Sequence, residues 1–267
     1  MSGNLIIVLV LTGFVHLLTT MSYAMWIVGT RTQKIAISFS LFNLIVILTR
    51  TFNTFQAPLL AKHVEINLLS VSPNTDEISF RIILAVSSIA TILGAILVPT
   101  FQRFMARAVE YFAEVKSVPK LIIHSLSRKG ISNFRETLTV PNLRNVSQLS
   151  QAKSVPVKIL IMNAIAVSVL SVGFLSSLYA AYLNPDLRVT SSNMAAVITG
   201  LATVLLFVFV DPYLSVLTDD HVEGVITTPE FRQRIVLLTG SRLVGTILAQ
   251  IILIPSAWFI AWTANFI

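Results

Sequence analysis

The sequence predicts an all-α membrane protein with six transmembrane helices. They form an inverted 3+3 repeat, with a basic cytoplasmic helical loop between helices 3 and 4. Three observations lead there. Of 267 residues, 55% are hydrophobic and only 12% charged, and the mean hydropathy is +0.82. Six apolar stretches are each long enough to cross roughly 30 Å of hydrocarbon at about 1.5 Å per helical residue. Ten of the nineteen basic residues crowd into one segment in the middle of the chain. A soluble globule carries about 25% charge, so this chain has too little polar surface to coat a water-exposed domain, and lipid is the missing solvent. Soluble enzyme folds are thereby excluded. Fibrous and disordered classes fail too, because apolar residues dominate while Gly and Pro stand at ten each. The absence of cysteine rules out disulfide frameworks, thiolate metal sites and cysteine nucleophiles.

In chain order, the predicted spans cover 5–28, 35–60, 82–105, 157–183, 194–217 and 235–260. The first carries a small-x-small sequence at Ser22-Tyr23-Ala24 like that of a signal-peptide cleavage site. No basic residue precedes its apolar run, so it reads as one retained helix. Strand-type alternation is absent, which argues against a barrel. Between the third and fourth spans stand Arg103, Arg107, Lys116, Lys120, Arg128, Lys129, Arg135, Arg144, Lys153 and Lys158 against Glu110, Glu114 and Glu136. The positive-inside rule puts this loop in the cytoplasm and both chain termini outside. Arg31 and Lys34 in the first loop and Arg232 and Arg234 in the fifth agree with that orientation. Three parts follow: 1–105 and 157–267 as three-helix repeats, and 106–156 as the cytoplasmic loop.

The loop is more than a linker. Phe101, Phe104, Ala108, Tyr111, Phe112 and Val115 recur at helical spacing opposite Arg103, Arg107, Glu110 and Glu114, which predicts an interfacial helix. The following stretch, 121–138, is basic with apolar residues interleaved, and a polar run begins at Pro141. Such a segment rests on anionic membrane lipids.

An odd number of spans on each side of an inside loop forces the two halves into opposite orientations. Internal matches support a repeat: Tyr23-Ala24 recurs at Tyr179-Ala180, Pro58-Leu59-Leu60 at Pro212-Tyr213-Leu214, His63-Val64-Glu65 at His221-Val222-Glu223, and Thr91-Ile92-Leu93 at Thr246-Ile247-Leu248. The order is kept and the offsets run from 154 to 158. Inverted halves that exchange conformations expose a central site to either side in turn, which is the physics of a transporter.

Ionisable groups inside the spans mark the candidate site, because each costs at least about 2.5 kcal/mol at the bilayer centre unless it faces protein or water. They are His16, Arg50, Asp211 and Arg242. Arg50 shares a helix face with Asn53 and Gln56 at i, i+3 and i+6, and Asn43 extends this hydrogen-bonding stripe by two turns. A planar guanidinium flanked by amides matches phosphate or carboxylate oxygens. The alternative is structural, with Arg50 closed off by a partner such as Asp211. Asp211 and Arg242 lie at similar depth and either pair with each other or face substrate. His16 is either a ligand contact or half of one interhelical hydrogen bond. In the structural alternative, Pro58 and Pro212 simply loosen their helices.

No acid-rich metal cluster, paired intramembrane carboxylates, His-Glu-x-x-His, Gly-x-Ser-x-Gly or phosphate-binding loop is present in the sequence, so no catalytic residue, metal or cofactor is assigned.

The chain resembles the Amj family of alternate lipid II flippases, bacterial membrane proteins that substitute for MurJ in cell-wall synthesis. The resemblance covers the whole chain. It is carried by His16 with Tyr23, Gly29-Thr30-Arg31-Thr32, Ser40-Leu41-Phe42-Asn43, Thr49-Arg50-Thr51, Asn53, Gln56-Ala57-Pro58-Leu59 and Phe209-Val210-Asp211-Pro212. The chain departs from the family pattern at Thr19, where the resemblance implies an acid. The resemblance implies a non-enzymatic protein of the bacterial plasma membrane that moves an undecaprenyl-pyrophosphate-linked glycopeptide from the inner to the outer leaflet. Arg31, Arg50 and Arg242 would meet the pyrophosphate, and Asn43, Asn53 and Gln56 the sugars. Two other readings stand beside it: a secondary transporter of a smaller anionic solute or phospholipid, and a membrane-embedded polyprenyl-phosphate transferase. A bulky substrate makes a homo-oligomer a further expectation, and nothing in the chain points to nucleic acid.

Overall fold

The computed structural model describes residues 3–70, 75–139 and 155–267. It is all-helical, and six stretches are long and apolar enough to cross a membrane. The first span is built from α1 (Gly3–Met21) and α2 (Ala24–Thr32). The single helix expected there is interrupted at Ser22–Tyr23, where the Tyr23 N–H donates to Thr20 O at 3.4 Å, one residue short of the α-helical partner. The cause is local. The Thr20 hydroxyl donates to His16 O at 2.7 Å, the Ser22 hydroxyl to Thr19 O at 2.8 Å, and the Thr19 hydroxyl to Val15 O, so side chains compete for the helical carbonyls.

The second span, α3 (Ile35–Leu68), runs past its apolar limit and through Pro58 without a break. The third, α4 (Glu77–Val115), begins at Asp76, whose carboxylate caps the Ser79 N–H at 3.2 Å. It ends at Lys116, where the backbone turns left-handed at φ 50°. The separate interfacial helix expected from residue 101 is thus the continuation of this span, and the boundary drawn at 105/106 falls inside one helix. No breaker interrupts residues 100–115, and the apolar face that suggested a membrane surface has a protein partner instead. Onto that face fold α5 (Val118–Leu126) and α6 (Arg128–Thr137). Phe134 meets Phe104 edge-on at 5.5 Å, His124 stacks on Tyr111 at 4.0 Å, and Arg107 reaches Glu136 at 3.2 Å. Arg144, Lys153 and the polar run from Pro141 lie outside the described residues.

In the second half, α7 (Val157–Leu183) is the fourth span and the most enclosed. A short turn at Pro185–Leu187 leads into α8 (Arg188–Leu205), a π-helical turn at Leu206–Val210, and α9 (Asp211–Val222), which together make the fifth. The sixth is α10 (Thr228–Thr263), opened by a reciprocal cap between Thr227 and Glu230.

Packing follows the small residues. The first span lies against the third and second, the fourth against the sixth and fifth, and the third against the sixth. A Cβ added at Gly94 would sit 2.9 Å from Leu17 O, and one at Gly245 would sit 2.6 Å from Ala164 O. Backbones meet at both crossings, as in membrane interfaces built on dispersion contact. The second and fifth spans are the outermost and turn most of their surface outward.

Candidate functional site

All six spans contribute to a central cavity of about 170 Å³. It holds on the order of ten waters. The second span supplies one wall: Asn43, Val46, Thr49, Arg50, Asn53 and Gln56 line it at helical spacing. The first supplies Thr12, His16, Thr19 and Tyr23, the fifth Thr203, Phe207 and Asp211, and the sixth Arg242. Seven of the eight predicted site residues are therefore brought together. Arg31 is the exception. It lies in the last turn of α2, exposed and outside the cavity, because the end of the span carries it past the aromatic contacts of Trp26 with Phe39 and Phe42.

The amide stripe is ordered by its own hydrogen bonds. The buried Gln56 accepts from the Thr12 hydroxyl at 2.7 Å and donates from Nε2 to Asn53 Oδ1 at 3.0 Å. Thr12 in turn also reaches Val8 O at 2.8 Å, so the amide wall is anchored on the first span. Arg50 is held differently. Its guanidinium lies 5.9 Å from the centre of the Phe207 ring on the fifth span. A cation over an aromatic face is attracted by the ring quadrupole, and both of the guanidinium's edges stay available to anionic oxygens.

Asp211 and Arg242 do not pair. Among the described residues no ion pair includes Arg50, Asp211 or Arg242. Arg242 is 6% exposed and sits 5.3 Å over the Tyr23 ring, while Asp211 lies within Coulombic reach of Arg50. The Arg242 Nε and His16 Nδ1 are buried with no hydrogen-bond partner among the described residues. Both belong to cavity-lining side chains.

Sequence reasoning missed Asn163. It is fully buried on the fourth span and donates from Nδ2 to Ser241 Oγ at 2.6 Å and Leu238 O at 3.0 Å, while its Oδ1 accepts from the Tyr23 hydroxyl at 3.2 Å. A filter for charge passes over an amide. The signal was a lone Asn inside an otherwise apolar run.

A helical bundle of six candidate spans around a cavity of cations, amides and one carboxylate defines a multi-pass membrane transporter. Residues 11–264 match the family model described as "Amj: Alternate to MurJ". The chain belongs to that family. It is 33% identical over 249 residues to the lipid II flippase Amj of Bacillus subtilis strain 168, covering 93% of this chain and 92% of that one. No solved structure gives a significant match.

Proposed function

We propose that this chain is a lipid II flippase of the bacterial plasma membrane, carrying the polyprenyl-pyrophosphate glycopeptide from the inner to the outer leaflet. The observation that carries the reading is Arg50, which makes no ion pair among the described residues and is set near amides on the wall of the central cavity. A pyrophosphate displaced from water needs charge-assisted donors along its route, and Arg50 and Arg242 both line the one cavity. Asn43, Asn53 and Gln56 offer donors and acceptors to sugar hydroxyls. His16 and Asp211 complete the ring of groups that headgroup oxygens and amides would meet.

Alternating exposure of the cavity follows from inverted repeats, each of three spans flanking the segment 106–156. In support, the first span relates to the second and third as the fourth does to the fifth and sixth. Pro99 and Pro255 lie inside the third and sixth spans at an offset within the range of the internal matches. Both termini face outside in this reading, and the basic helices α5 and α6 lie near the anionic inner leaflet, presenting Ile122, Ile123 and Leu126 as exposed apolar side chains.

One observation favours the alternative of a smaller anionic solute. A volume of about 170 Å³ is ample for a pyrophosphate group but not for a disaccharide pentapeptide. The flippase reading answers it with a cavity that widens during transport. Surface labelling of lipid II in cells depleted of other flippases decides the matter. The flippase reading expects this chain to restore labelled lipid II in the outer leaflet. Cells that express it in the membrane and still show only inner-leaflet substrate would overturn it.

A further inference from the structure

The cavity has a seam. Spans 2 and 5 both line it and both face outward, yet neither packs substantially on the other: span 2 rests on span 1, and span 5 on span 4. The Arg50 guanidinium over the Phe207 ring bridges them, and Asp211 on span 5 lies within Coulombic reach of the same guanidinium. Phe207 is at once a cavity residue and 56% exposed on the outer surface. Elsewhere the walls are shut by backbone contact, between spans 1 and 3 at Gly94 and between spans 4 and 6 at Gly245.

We propose that the seam between spans 2 and 5 is the lateral portal through which the polyprenyl tail trails into the bilayer while the headgroup occupies the cavity, and that Phe207 is its gate. This rests on the flippase reading and adds the path of the tail to it. The chemistry of the substrate requires such a slot, because a polyprenyl chain gains nothing by leaving hydrocarbon while a pyrophosphate cannot remain there. The seam is where cationic wall and lipid meet. It also has a hinge. Phe207 sits in the π-helical turn Leu206–Val210, and Pro212 follows directly, removing one backbone donor from the next turn. The α-helical hydrogen-bond ladder of span 5 is therefore interrupted where its side chain guards the opening. A pyrophosphate that binds the free edges of the guanidinium and draws it into the cavity moves it off the ring, and the contact that holds Phe207 across the seam is then released.

The chain contains no cysteine, so an introduced pair reports alone. Spans 2 and 5 run antiparallel, which sets Thr54, one turn beyond Arg50, about level with Val204, one turn before Phe207, exposed and outside the cavity lining. In the Thr54→Cys, Val204→Cys chain, export of lipid II to the outer leaflet should match the parent before treatment. It should fall at least tenfold when a short cleavable bismaleimide joins the two thiols, and return when the linker is cut. A control link between Gly13→Cys and Val86→Cys, where spans 1 and 3 touch, should leave export unchanged. Full export with the seam linked, or equal loss with the control linked, overturns the portal. Failure of the untreated parent to export lipid II overturns the flippase reading itself. A second measurement covers a poorly folding pair. A photoreactive benzoylphenylalanine at position 207 should capture lipid II at least tenfold more than one at Val244, which is equally lipid-facing on span 6. Equal capture contradicts the gate.

Discussion

The Tyr23 hydroxyl donates to Asn163 Oδ1 at 3.2 Å and joins the first half of the chain to the second beside the cavity. The same ring carries the Arg242 guanidinium on its face. Tyr23 thus does two separable things: its oxygen ties spans 1 and 4, and its π-system holds a buried cation.

Tyr23→Phe removes the first and keeps the second. Its cost should be about 0.5–1.5 kcal/mol, the net worth of one interhelical hydrogen bond. Tyr23→Leu removes both and should cost more. Asn163→Leu leaves Tyr23 and Ser241 each short of a partner and should be the most damaging of the three. Thermal unfolding of the purified protein in one detergent ranks them.

The crossing at Gly245 admits no side chain. Gly245→Ala would force a Cβ to 2.6 Å from Ala164 O and 2.9 Å from Val167 Cβ, so spans 4 and 6 would have to separate. A loss of about 1–3 kcal/mol is expected, as for overpacking elsewhere. Gly240 in the same helix has open space, and Gly240→Ala should instead gain about 0.5–1 kcal/mol from helix propensity and a less mobile unfolded chain. Opposite signs from one substitution type, read as shifts in Tm, check the packing directly.

The non-cavity end of span 2 is latched to the start of span 3, with His63 Nε2 and Asp76 Oδ2 2.8 Å apart. Burial raises the Asp76 pKa, but hydrogen bonds from Ser79 and His63 outweigh it and hold the carboxyl below its ordinary value of 3.8. A folded pKa below the unfolded one stabilises at pH above the unfolded value, and that stability is lost as pH falls through the folded value. Asp76→Asn keeps a capping oxygen but loses the negative charge at the helix start and beside His63, so it should be less stable than the parent near neutral pH by about 0.3–1 kcal/mol. The gap should close as pH drops below 3.8. Melting curves from pH 7 to pH 3 measure it, and a gap independent of pH would exclude the carboxylate as its source.

How much of this was legible in the residues depends on the kind of signal. Hydropathy over twenty residues sums many small terms, so all six spans were readable. The Asn43, Arg50, Asn53, Gln56 stripe was readable too, because helical spacing is a local geometric rule. Ends and breaks were not. Three neighbouring hydroxyl choices at Thr19, Thr20 and Ser22 tighten span 1, and span 3 runs on past its apolar stretch because α5 and α6 supply a protein face for Phe104 and Tyr111. Both depend on partners distant in sequence or on balances of a few tenths of a kcal/mol. Arg31 shows the limit of reasoning from charge alone. A guanidinium near the end of a span is as readily a solvated topology signal as a ligand, and only its position relative to the cavity separates the two.

Arg50 is where the account is most exposed to test. Measured as outer-leaflet lipid II in cells lacking other flippases, Arg50→Ala should lower export at least tenfold with membrane protein levels unchanged. Arg50→Lys should recover part of it, since the charge remains while the planar fork is lost. Export by Arg50→Ala equal to that of the parent would contradict the central claim that this cation handles the headgroup.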